Sequence, residues 1–110
     1  MDSEAIVREL LVEGLDDWVP VDRLVGLARE ESERSGTDFR SLAVRLLGDL
    51  VKDGLMDVGE LGDTGFEPWT GDTDTVLARI VAALDQVDWR PAGGVCWLAN
   101  TPEGDRTATR

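Results

Sequence analysis

The stretch from Asp38 to Val58 restricts the fold more than any other part of the chain. Phe39, Leu42, Ala43, Leu46, Leu47, Leu50 and Val51 recur at three- and four-residue spacing, which gathers them on one helix face that must be covered. Asp38 stands where a helix cap belongs. Gly54 falls where the chain needs a left-handed cap, and Leu55, Met56, Asp57 and Val58 then read as a strand. A helix turned through one glycine into a strand implies an α+β domain in which both share a core.

The flanking segments supply the partners. Ser3 precedes Glu4, and Ile6, Val7, Leu10 and Leu11 keep helical spacing up to Gly14, which reads as the terminator of a first helix. Asp16, Asp17 and Trp18 break the pattern, and Val19-Pro20 reads as a short extended entry. A second helix follows, with Val21, Leu24, Val25, Leu27 and Ala28 on one face, ended by Ser35-Gly36-Thr37. Beyond the strand, Gly59, Gly62 and Gly65 with Asp63 and Thr64 mark a turn, and Phe66 to Trp69 forms a short edge segment. Val76, Leu77, Ile80, Val81, Leu84 and Val87 predict a fourth helix at about 73–88, capped by Asp72 or Thr73 and closed by Pro91. Val95 to Ala99 is a second strand, best paired antiparallel with the one beginning at Leu55. Residues 101–110 hold only Ala108 as an apolar residue and read as a flexible C-terminal tail, leaving one domain over 1–100.

Charge and rare residues narrow the function. The 110 residues carry 23 acids and 11 bases, a net charge of -12. Residues 54–88 hold eight of the acids against Arg79 alone, so this acidic excursion is expected to face solvent. Such a field repels phosphate backbones and attracts basic partners; solubility or a high-salt cytoplasm would also account for it. With no histidine, the commonest general base is missing. The four serines fall at helix edges and turns, and Cys96 lies in a strand beside Trp97 as a buried, inert thiol would. Asp72 and Asp74 lack the rest of a calcium loop. Asp57, Glu60, Asp63 and Glu67 read as a solvated acidic face rather than a cation site. No catalytic residue, metal or cofactor is expected. The absence of a signal-like segment or of an apolar run near the roughly 20 residues that cross a bilayer assigns the chain to the cytoplasm, away from membranes.

Two segments carry a family resemblance. Leu46-Leu47-Gly48-Asp49-Leu50-Val51-Lys52-Asp53-Gly54-Leu55-Met56 resembles a third helix running through glycine into the first wing strand of a winged helix-turn-helix domain. Trp97-Leu98-Ala99-Asn100-Thr101-Pro102-Glu103-Gly104-Asp105-Arg106 is similar to the second wing strand and its exit. The resemblance spans roughly 4–61 and 94–106, with the wing expanded by an insertion at about 62–93 that holds a whole helix. It implies a winged-helix-like fold: a three-helix core and an antiparallel β-ribbon, with an extra helix between the ribbon strands.

The resemblance also implies a DNA-binding reading, in which the third helix (about 38–53) enters the major groove and Arg40, Ser41, Arg45 and Lys52 are the contact candidates. Three bases there meet three acids (Asp38, Asp49, Asp53), and the acidic segment beside them opposes phosphate binding. The leading expectation is therefore a non-enzymatic protein-interaction or regulatory module, binding a basic partner or self-associating through the first or fourth helix. A DNA-binding transcriptional regulator is the alternative, and an antitoxin or immunity-type inhibitor a weaker one. Phe66, Glu67, Trp69 and Trp89 are the interaction candidates, with Trp18 as a further loop aromatic.

Overall fold

In the computed structural model, which describes residues 1–110, the elements follow in the order α1 (Ser3–Gly14), β1 (Val19–Pro20), α2 (Val21–Ser35), α3 (Phe39–Lys52), β2 (Met56–Gly62), β3 (Gly65–Pro68), α4 (Thr73–Gln86), β4 (Trp97–Asn100) and α5 (Pro102–Ala108). The class is α+β. Short polar side chains start the helices: Asp38 accepts from the Ser41 N–H, Asp72 from Thr75, and Thr101 from Gly104. α2 ends at Gly36, whose φ of 77° is the left-handed conformation that glycine adopts without strain, and Gly54 at φ 70° turns the chain from α3 into β2.

The strands form one antiparallel sheet in the order β1-β4-β2-β3. The expected pairing is present: Met56 faces Asn100, Val58 faces Leu98 and Gly59 faces Trp97. Val19 also faces Leu98, and Leu61 faces Phe66 across the two-residue turn Asp63-Thr64. Because side chains alternate along a strand, Val19, Met56, Val58 and Leu98 point together toward the helices, where all four are buried. They join Ile6, Leu10 and Leu11 of α1, Leu24 and Ala28 of α2, and Leu46, Leu47 and Leu50 of α3 in a single apolar cluster. Each such side chain, fully buried, contributes about 1.5–3 kcal/mol of transfer free energy.

α1 is capped by Asp2, whose Oδ1 accepts from the Ala5 N–H at 2.8 Å. Several expectations are corrected. Gly14 is the last residue of α1 but not a left-handed terminator; a Cβ there would overlap the Asn100 side chain, so its role is close approach between α1 and β4. The fourth helix stops at Gln86, well before Pro91. Asp88 and Trp89 take positive φ values of 54° and 57°, and the Trp89 N–H returns to the Leu84 carbonyl. Two non-glycine residues in that region are costly, and burial of the Trp89 ring offsets the cost.

The excursion at 62–93 does not simply face solvent. α4 buries Val76, Ile80 and Leu84 in the common core, so four long helices rather than three enclose it. Arg40 pairs with Asp85 at 3.0 Å and Lys52 lies 4.0 Å from Asp74, which lays α4 antiparallel along α3.

Residues 101–110 are also not a flexible tail. Thr101 Oγ1 donates to the Gly54 carbonyl at 2.5 Å and accepts from the Gly104 N–H at 3.0 Å, while the Thr101 N–H donates to the Leu55 carbonyl. Gly104 and Ala108 are buried, and Arg8 donates to the carbonyls of Ala108 and Arg110. Hydrogen bonds and a side-chain-free approach to backbone hold this helix, and neither is visible to a count of apolar residues.

Candidate protein-interaction surface

The outward-pointing residues of the sheet follow from the same alternation: Pro20 in β1, Trp97 and Ala99 in β4, Asp57, Gly59 and Leu61 in β2, and Phe66 and Pro68 in β3. Trp18, just ahead of β1, shares their side. Its ring lies 6.2 Å from that of Phe66, centroid to centroid, with the planes 31° apart. The Trp18 ring also reaches Gly65, lying 3.2 Å from the position a Cβ would take there, so β3 comes close to Trp18 although β4 and β2 intervene in the sheet order. Trp18 is 42% exposed and Leu61 44%, with Phe66 half-buried. Asp16 and Asp17 just before Trp18, Asp57 on the outward side of β2 and Asp63 in the hairpin turn are all exposed, and no lysine or arginine occurs anywhere in residues 53–78.

The other aromatics expected at an interface are held differently. Trp89 is only 6% exposed: its Nε1 donates to Asp85 at 2.6 Å and its ring meets Phe39 edge-on at 5.9 Å. As an interface anchor Trp89 is therefore corrected to a core residue. Trp69 is half-buried on the helix-facing side of the hairpin, donating from Nε1 to Glu60 at 3.1 Å, with Arg79 stacked 3.7 Å above its ring. Glu67 is exposed and bends toward the turn, accepting from the Thr64 hydroxyl at 3.3 Å. Phe66 and Trp69 thus lie on opposite sides of one hairpin, and the structure does not bring the four candidates into one site.

The DNA-contact candidates already have partners within the protein. Arg40 makes a two-pronged bond to Asp85, and the guanidinium, with the Trp89 N–H second, holds the Asp85 carboxyl below its usual range. Ser41 donates to its own helix cap, Asp38, and Arg45 donates to Ser3 Oγ at 2.6 Å. Lys52 faces Asp74. α1, α2 and α4 all pack against α3, and Ser41 and Arg45 lie exposed on the side they leave open.

Cys96 is buried beside β4, and burial raises its thiol pKa to about 12, far from the exposed thiolate that reactivity needs. No three acidic or sulfur side chains converge on a point where a metal ion could sit. No helix is long and apolar enough to cross a membrane. Set against protein families, characterised proteins and solved structures, the chain matches none.

Leu61 was not among the expected site residues. Its signal is alternation along β2, where Asp57, Gly59 and Leu61 share one side, but assigning that side to solvent needs the sheet order.

Proposed function

We propose that this protein is a non-enzymatic interaction module on a winged-helix-like scaffold, and that it docks a basic protein partner on the open side of its sheet around Trp18, Leu61 and Phe66. The observation that carries this reading is the Trp18–Phe66 stack, held across two strands with Trp18 and Leu61 both more than two-fifths exposed. Exposed apolar groups gathered into one patch and rimmed by polar residues mark binding surfaces. We read the exposed Asp16, Asp17, Asp57 and Asp63 as the rim of this patch, and with no base in residues 53–78 that rim favours positive charge in the partner. The same rim opposes a second copy of this chain, whose acids would meet its own. DNA binding through α3 has less support, because Arg40 and Lys52 are turned toward acids of α4.

The test places a photo-crosslinking residue at position 61 and, in a second variant, at position 41 on the open side of α3. In extract from the native host, crosslinking from position 61 to a basic protein, lost on Phe66→Ala, is the expected result. Crosslinks to DNA from position 41, with none from position 61, would replace this reading by the DNA-binding one.

A further inference from the structure

We propose that Trp69 and Glu60 form a clamp for a guanidinium group, filled by Arg79 in the free protein and, in the complex, by an arginine that the basic partner extends around the β3 edge of the sheet to the helix-facing side of the hairpin. The clamp's walls are fixed independently of Arg79. The Trp69 backbone N–H donates to the Val58 carbonyl at 2.8 Å, its side chain rests against the core, and its Nε1 holds Glu60 Oε1 at 3.1 Å. An aromatic face and a carboxylate set beside each other match a guanidinium, which stacks with its plane and donates with its edge. Arg79 does both, with its Cζ 3.7 Å from the ring centroid and Nη2 3.2 Å from Glu60 Oε1.

A second tryptophan–carboxylate–arginine group in the same molecule shows what a structural version looks like. Arg40 binds Asp85 through two nitrogens, lies 5.8 Å from the Trp89 ring, and joins α3 to a buried tryptophan at the end of α4. Arg79, in contrast, reaches Glu60 through one nitrogen rather than two, although the two arginines are almost equally exposed, at 53% and 54%. Exposed single-bond ion pairs contribute little to stability, so this occupant is easily exchanged. It is also the sole base in residues 54–88. An incoming arginine restores the pair with Glu60 and leaves Arg79 free in solvent.

The source of the arginine rests on the proposed basic partner; the clamp itself does not. The test titrates N-acetyl-arginine amide into the whole protein and into Arg79→Ala, following the Trp69 indole N–H by NMR. Arg79 is exposed on α4, and Arg79→Gln serves as a second variant that keeps a polar side chain. If Arg79 fills the clamp roughly nine-tenths of the time, emptying it lowers the apparent Kd about tenfold. The lysine analogue should bind more weakly, and Glu60→Gln in the Arg79→Ala background should remove binding. Equal titrations of wild type and both variants, or binding that survives Glu60→Gln, would overturn the clamp. Trp18→Ala should leave the titration unchanged, so failure of the docking face and failure of the clamp are separable.

Discussion

Glu60 and Glu67 stand directly opposite each other across β2 and β3 and send their carboxylates apart. Glu60 turns to the Trp69 indole Nε1–H and Arg79, while Glu67 folds back over Gly62, where any Cβ would overlap its carboxylate. Like charges facing across strands are destabilising by roughly 0.2–1 kcal/mol, and these two escapes reduce that repulsion. Glu67→Gln should therefore raise the thermal midpoint slightly at low salt, with the gain shrinking as salt is added. A lower midpoint would mean that the Thr64 hydrogen bond outweighs the repulsion.

Truncating the tryptophans should separate core from surface. Trp89→Ala empties a buried site and should cost about 3–5 kcal/mol. Trp18→Ala removes a 42% exposed ring and one aromatic contact, and should cost clearly less than Trp89→Ala because less area is lost from burial. Urea unfolding measures both, and comparable losses would place Trp18 in the core as well.

Glycine positions give a second contrast. A Cβ at Gly104 would overlap the Leu55 carbonyl, which is backbone and cannot swing aside. Gly104→Ala should cost about 1–3 kcal/mol, the range of overpacking. Gly48 lies within α3 with open space around its Cβ position, so Gly48→Ala should stabilise by about 1 kcal/mol through helix propensity. The same unfolding measurement would show opposite signs for the two alanines.

Acid should act on one identifiable carboxylate. Glu31 is 7% exposed; hydrogen bonds from Arg34, and then from the Met1 ammonium, lower its pKa from 4.5 to about 2. A carboxylate whose folded pKa lies below its unfolded one stabilises the fold above the unfolded value, and that contribution disappears as pH falls through the folded value. Stability should thus decline between about pH 4.5 and 2. Glu31→Gln should be less stable at pH 7 but show a shallower decline over this window in thermal melts, and parallel curves would assign the acid sensitivity elsewhere.

The sequence was most legible where one residue type had one job. Asp38 and Gly54 announced a cap and a left-handed turn by their chemistry alone, and the apolar rhythm of α3 admitted no other face. Legibility fell where a residue served something remote in the chain. Gly14 resembles a terminator until Asn100 is placed against it, and Thr101 resembles the start of a tail until the carbonyls of Gly54 and Leu55 are brought beside it. The candidate surface was half legible for the same reason. Phe66 stood out as a loop aromatic, but its stack with Trp18 depends on strand order, which the alternation of one strand does not encode.

β4 is an interior strand of the sheet, between β1 and β2, although it is the last strand in the chain. β1 has no other neighbour, so Val19 and Pro20 wait for residues 97 and 98 before they can pair. On the ribosome the sheet stays incomplete until residues 97–100 have emerged, and closing it requires contacts between distant parts of the chain. Newly made protein therefore passes through a stage in which the Val58 edge of β2 is uncovered, and that stage, more than the finished fold, is where chaperones or aggregation would act on it.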